Sequence, residues 1–277
     1  MIILSSPLVS RSVSPPFCHH LDQATDLSDY KNIKGLSGAL EDPHRSNIST
    51  IYSYENADKT WQLIEKFKGE GEAIFTQPQG IIKCAGGEYQ FLEKMEYERS
   101  STETDAAPQK IAYMADAFWK SANTPVKSRF VTGMPSMFSV PHYSKALNAI
   151  REEKGIAGEF NTNLVEVRPD DKVAVFEFTT GDRKGERIEK EFGLLHVVPP
   201  MGPLDSIKSS PLADAAGWVN VDQGTLQHQK YENVFSLGDA SSLPTSKVSY
   251  CSEIHGPRVL CANWVRPLPP SLDKHQS

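Results

Sequence analysis

An α/β fold, a doubly wound parallel sheet carrying a β-meander, is the class the sequence predicts, on three observations. Between residues 57 and 153, apolar segments of helical and extended period alternate. Three alternating strands then follow one another across short turns from Leu164 to Phe192. Directly after them, Leu194–Val198 is apolar without alternation, as a strand buried on both faces must be.

Taken in order, residues 1–28 have no period and read as a poorly ordered leader. Ala57–Lys68 predicts a helix carrying Trp61, Ile64 and Phe67, ended by Gly69-Glu70-Gly71, and Ala73–Thr76 a short buried strand. Ala107–Ala122 predicts a second helix, with Pro108 in its first turn and Ile111, Ala115, Phe118 and Ala122 on one face. Arg129–Thr132 reads as a strand. Pro141 to Glu153 follows as a helix, Tyr143, Leu147 and Ile150 inward and Gly155 as its stop. The meander comprises Leu164–Arg168, Lys172–Phe178 and Arg187–Phe192, joined by Pro169-Asp170-Asp171 and by Gly181–Gly185.

With 277 residues the chain can hold one large or two ordinary domains, and 39% apolar residues supply a real core. The net charge of -6, with no basic stripe, argues against a nucleic-acid partner. Cys18, Cys84, Cys251 and Cys261 are spaced too irregularly for a disulfide framework, which points to a reducing compartment. Phe192–Leu204 is broken by Pro199, Pro200 and Pro203, so it predicts no membrane span, and the first residues lack the basic region of a targeting segment. Cys18-His19-His20 and Cys251, His255 and Cys261 match no metal-site spacing, so no metal is expected. A Gly-x-Ser-x-Gly elbow is absent, which removes that route to serine catalysis.

Chemistry concentrates at three places. Asn233-Val234-Phe235-Ser236-Leu237-Gly238-Asp239 reads as a buried strand ending in Gly-Asp, followed by small residues that should open a helix. There a backbone can approach a cofactor, the aspartate can accept from ribose or ribityl hydroxyls, and a helix start favours phosphate. With Gly217-Trp218-Val219-Asn220-Val221-Asp222 upstream, the block points to flavin binding. Cys84 follows a strand and precedes small residues; it reads either as a thiol exposed at the sheet's carboxyl end or as an inert buried cysteine. Lys247 reads either as a loop cap near a cofactor or as an ordinary surface lysine. Nowhere does the chain contain Gly-x-Gly-x-x-Gly, the turn that receives a dinucleotide pyrophosphate.

Ile82-Lys83-Cys84-Ala85-Gly86, joined to Ala107-Pro108-Gln109-Lys110-Ile111, resembles the central redox-cysteine segment of animal-type mitochondrial sulfide:quinone oxidoreductases. The resemblance continues through Leu195-His196-Val197-Val198-Pro199-Pro200-Met201, Ser210–Val219 and Thr225-Leu226-Gln227-His228 to Lys247. It implies a Rossmann-like FAD/NAD(P)-binding flavoprotein fold, here incomplete. It also implies hydrogen sulfide as substrate, FAD as cofactor, ubiquinone as electron acceptor, a small thiol or sulfite as sulfur acceptor, and peripheral contact with the inner mitochondrial membrane. On this resemblance Cys84 is one of two redox cysteines, while Pro199, Pro200, Gly238, Asp239 and Lys247 line the FAD.

The departures shape the expected domains. Residues 1–28 are an unrelated leader and 29–162 a second nucleotide-fold-like domain interrupted by 87–106. Residues 163–247 hold the meander and the FAD-binding segment, and 248–277 form a divergent tail. Deleting 87–106 restores Cys-Ala-Gly-Ala-Pro-Gln-Lys, the pattern that intron read-through or a variant gene model leaves. The family's glycine turn has no counterpart, and Cys251 and Cys261 stand in unrelated text, so the second redox cysteine is unassigned. Gly256-Pro257 argues against a good helix after Lys247. The expectation is a truncated, weakly active or inactive sulfide:quinone oxidoreductase. The alternatives are an NADH:quinone-type flavin reductase and a non-catalytic truncated product.

Overall fold

The computed structural model describes residues 2–4, 29–41, 46–80, 82 and 107–244. The chain divides into two compact units, Ser28–Gly202, and Pro203–Ser277 with Met1–Leu27. In chain order the elements begin with β1 (Ile2–Leu4), α1 (Leu36–Glu41), β2 (Ile48–Ser49), α2 (Tyr54–Lys66) and β3 (Glu72–Gln77). They continue with α3 (Ala107–Ser121), β4 (Lys127–Thr132), α4 (Pro141–Glu153), β5 (Ala157–Glu159) and the meander β6 (Thr162–Arg168), β7 (Val173–Phe178) and β8 (Arg187–Glu191). The last are β9 (Leu194–His196), α5 (Asp205–Lys208) and β10 (Val234–Ser236).

In the unit Ser28–Gly202, five strands form a sheet of order β2-β9-β3-β4-β5, and every neighbouring pair is parallel. The middle strand β3 explains the apolar run Ala73-Ile74-Phe75: all three residues are buried, because both faces of the sheet are covered. On one face α2, α3 and α4 pack Ile64, Ile111, Ala115, Trp119 and Leu147 against Ala73, Phe75, Phe130 and Leu194. Trp119 is 2% exposed, and its indole N–H donates to the Ile64 carbonyl at 2.8 Å, tying α3 to α2.

The other face is covered by the meander and the short α1. Leu164, Val167, Ala174 and Phe176 pack with Ile33, Leu36, Ile48, Ile74, Val131, Leu195 and Val197 in one cluster. The meander's antiparallel register and its bulge between Leu164 and Glu166 keep those side chains on the sheet side. Cross-strand pairs such as Arg187–Glu177 at 2.9 Å and Arg168–Glu189 at 2.8 Å sit on the solvent side. At such exposure, solvent screening leaves each of them little net stabilisation.

This packing moves one expected boundary. The meander and β9 belong to the same compact unit as residues 29–162, rather than to a domain 163–247, because their apolar face is the cover of the parallel sheet. A second difference is α2, which starts at Tyr54 instead of Ala57, with Ser53 as its extended N-cap residue. Its buried side includes the polar Asn56, Lys59 and Thr60, whereas Trp61 is 43% exposed and meets Phe118 edge-on at 5.0 Å.

In the second unit, Ile207, Val219, Val221, Leu226, Phe235, Leu237, Ala240 and Leu243 form the core. Isolated bridges knit its loops, among them Val219 to Ser241, Val221 to His228 and Gln227 to Phe235. Within the expected leader, Ile2–Leu4 is a strand: β1 pairs antiparallel with β10, from Ile2 opposite Ser236 to Leu4 opposite Val234. The helix expected after Gly238-Asp239 is replaced by one 3-10 turn, Gly238–Ala240. The Ala240 carbonyl accepts from Val219 N–H at 2.9 Å and Ser242 N–H donates to the Val219 carbonyl at 2.9 Å, so the chain runs alongside Val219 instead of coiling.

Candidate functional site

Ligands of α/β sheets bind beyond the carboxyl ends of the strands. Here β2, β3, β4 and β9 end at Ser49, Gln77, Thr132 and His196. Thr76 organises the centre of this edge. Its hydroxyl donates to the His196 carbonyl at 3.2 Å and accepts from Val198 N–H at 3.2 Å. The strand leading into Pro199-Pro200, where neither residue has an N–H to donate, is thereby anchored one residue before the prolines. Pro199 is buried and Pro200 half-buried, and the Pro200 carbonyl accepts from Asp29 N–H at 2.8 Å.

Beside it, the end of β3 is held by Asn163, whose Oδ1 accepts from Gln79 N–H at 2.8 Å. Gly133 makes this approach feasible: a Cβ there would lie 2.4 Å from Asn163 Oδ1 and 2.6 Å from Gln79 N. Ile82, a few residues on, is buried. Beyond β3, Gln79 and Ile82 are thus held positions among the described residues. Cys84 itself, like Lys247 and the cysteines and histidines at positions 18–20 and 251–261, lies outside the described residues.

His196 was not singled out by sequence reasoning. It is fully buried, its ring 6.1 Å from that of Phe75, and its Nε2 accepts from Ile51 N–H at 3.1 Å. Burial pushes the imidazole far below its ordinary value, to about 3, so the ring is neutral. The turn from β2 into α2, Thr50-Ile51-Tyr52-Ser53, contains no glycine. Its amides are engaged internally, Ile51 N–H by His196 and Tyr52 N–H by Thr50 Oγ1 at 3.1 Å, and Tyr30 Oη–H donates to the Tyr52 carbonyl at 3.0 Å.

In the second unit, β10 leads through Leu237 to Gly238, which is buried with φ at 68°, a left-handed conformation that favours glycine. The Gly238 carbonyl accepts from both the N–H and the hydroxyl of Ser241, at 3.2 and 2.8 Å. Asp239, half-buried, follows at the first turn of the 3-10 segment. The flanking loops are fixed by side chains. Asp222 Oδ1 accepts from Thr225 N–H and Oγ1–H and from Gly224 N–H, which holds its carboxyl below the usual carboxylate value. His228 Nε2 donates to the Leu212 carbonyl at 3.0 Å while Nδ1 accepts from Lys230 N–H at 2.9 Å, a structural arrangement rather than a catalytic one.

No family model matches the chain. Over 223 residues, 80% of this chain and 44% of the relative, it is 40% identical to the mitochondrial sulfide:quinone oxidoreductase of Mus musculus. To the corresponding protein of Dictyostelium discoideum it is 39% identical over 250 residues, 89% of this chain and 49% of the relative. The chain belongs to the sulfide:quinone oxidoreductase family. The sulfide:quinone oxidoreductase of the bacterium Aquifex aeolicus has the same fold, with a TM-score of 0.60, 15% identity, and coverage of 84% of this chain and 51% of that one. The chain spans about half the length of the curated sulfide:quinone oxidoreductases it matches.

Of the residues the sequence suggested in this family member, Pro199 and Pro200 follow the Thr76-anchored edge of one unit, and Gly238 and Asp239 form the turn of the other. Thr76, Gly133, Asn163 and His196 were missed, because each acts through a partner distant in sequence.

Proposed function

We propose that this chain carries the redox-cysteine and flavin-contacting segments of a sulfide:quinone oxidoreductase, with hydrogen sulfide as reductant and ubiquinone as final acceptor. The observation that carries this reading is the path of β3. It ends at the sheet's carboxyl edge seven residues before Cys84, next to the Thr76 link that anchors the approach to Pro199-Pro200. In the chemistry proposed, hydrosulfide attacks a sulfur of the bridge between Cys84 and a second cysteine. The S–S bond breaks, one cysteine keeps the added sulfur as a persulfide, and the other leaves as a thiolate carrying the electron pair. A small thiol or sulfite then removes the outer sulfur.

The residues present fit one side of an FAD site. Left-handed Gly238 at the end of a buried strand lets the backbone come close, and Asp239 offers a carboxylate to hydroxyls; Pro199, Pro200 and Lys247 are carried as FAD contacts from the family resemblance alone. When bound, FAD supplies the two-electron acceptor between thiol and quinone. We place the protein at the inner mitochondrial membrane as a peripheral partner; among the described residues no helix is long and apolar enough to cross a membrane.

The NADH-dependent reading is disfavoured by the β2–α2 turn, which lacks glycine and whose Ile51 and Tyr52 amides are already engaged. The purified chain, titrated with FAD and assayed with sulfide and a short-chain ubiquinone, tests the proposal. Weak FAD retention, with sulfide-dependent flavin bleaching that Cys84→Ser abolishes, is expected. NADH-driven quinone reduction insensitive to Cys84→Ser overturns it in favour of a flavin reductase. No flavin binding and no turnover identify a non-catalytic product.

A further inference from the structure

Among the described residues, two buried side-chain polar atoms have no hydrogen-bond partner, Ser49 Oγ and His196 Nδ1. Both residues are 0% exposed. They are also register partners in the parallel pairing of β2 with β9, so their side chains project from the same face of the sheet. Phe75, opposite His196 on its other neighbour, lies in the cluster formed with α2 and α3, which puts this polar pair on the face those helices cover.

The hydrogen bond on the other ring nitrogen sets the tautomer. Ile51 N–H donates to Nε2, so Nε2 is a lone pair and the neutral ring carries its proton on Nδ1. An imidazole N–H then points into the interior beside a hydroxyl that is likewise unpaired. Buried donors are almost always satisfied, and two polar groups are the minimum that holds an internal water.

We propose that Ser49 and His196 hold one buried water between them, and that this water fixes the imidazole tautomer that closes the β2–α2 turn. The water accepts from Nδ1–H and donates to Ser49 Oγ. Nε2 is thereby kept as the acceptor of Ile51 N–H, one of the amides that a dinucleotide phosphate would otherwise meet at the first turn of such a fold. Ser49 and His196 are on this account positioning residues that seal the turn. The proposal concerns the apo chain and stands or falls independently of flavin or sulfide chemistry.

The test is nitrogen-15 NMR on the full chain without cofactor. A ring protonated at Nδ1 and not at Nε2, with a cross-peak from Nδ1–H to a long-lived water, is expected. Ser49→Val removes the water's second partner and should speed exchange of the Ile51 amide about tenfold, while Ser49→Thr, which keeps the hydroxyl, should leave it near the wild-type rate. A ring protonated at Nε2, an Nδ1–H with no water cross-peak because it bonds Ser49 directly, or an Ile51 amide indifferent to Ser49→Val overturns the proposal. Should Ser49→Val not fold, the wild-type ring spectrum alone decides.

Discussion

Val198 N–H donates to Thr76 Oγ1 at 3.2 Å, and the same hydroxyl donates to the carbonyl of His196, so one threonine on β3 pins the residues that lead into Pro199-Pro200. Thr76→Val keeps the shape and leaves the Val198 N–H without that acceptor in the interior. Urea unfolding should show a loss of about 1–3 kcal/mol, and Thr76→Ser should recover most of it. An unchanged midpoint for Thr76→Val would show that the link contributes nothing.

Trp119 joins α3 to α2 by burial and by its bond to the Ile64 carbonyl. Trp119→Ala is expected to cost about 3–5 kcal/mol, a large fraction of the stability of an ordinary domain. Thermal melts followed by circular dichroism should show Trp119→Phe far less damaged, since most of the ring volume is retained and one hydrogen bond is lost.

Gly133 and Gly238 are constrained for different reasons, which separates their outcomes. A methyl at Gly133 drives into Asn163 Oδ1 and Gln79 N, so Gly133→Ala should break that link and cost about 1–3 kcal/mol. Gly238→Ala forces an alanine into left-handed space for about 1–2 kcal/mol. On the proposed function it also weakens FAD retention beyond what the stability loss accounts for, which flavin titration of the two variants side by side will show.

Stability should fall with acid earlier than carboxylate titration explains. His196 binds its proton near pH 6.5 when unfolded but only at about 3 when folded. The unfolded state therefore holds more protons across that interval. The stabilisation is fully present above about pH 6.5 and is lost as pH falls towards 3. Asp222 and Glu166, both held below their ordinary values, add their own loss only at lower pH. Urea midpoints between pH 7 and 5 isolate the histidine, and His196→Asn should flatten the curve there.

Much of the scaffold was legible because the buried faces are written in apolar residues. The helices at Ala107–Ser121 and Pro141–Glu153 start where the pattern predicts, since Ala115, Trp119 and Leu147 fall at helical spacing beneath them. The strand Ala73-Ile74-Phe75 was readable for the same reason. The start of α2 was not, because Asn56, Lys59 and Thr60 are buried there and their polarity hides the face. Lys59 Nζ donates to Ser46 Oγ at 3.3 Å, a partner that no local window contains.

The candidate site divides along the same line. Pro199-Pro200 and Gly238-Asp239 could be picked out as short motifs, and Cys84 by its place after a strand, because backbone constraint and thiol chemistry belong to single residue types. Local pattern was enough to mark the longer helices and strands and their order, and the extended motifs carried the family resemblance, whereas β1, α1, β2 and β5 were not read from it. Folding decided which polar groups meet: Thr76 reaches Val198 and Ile51 reaches His196 only once β3 and β2 lie against β9. Folding also turned Gly238–Ala240 into a single turn, since Val219, brought alongside, takes the hydrogen bonds that a helix would have used. A hydrogen bond needs its partner within about 3 Å, and such proximity between distant residues is a property of the packed chain.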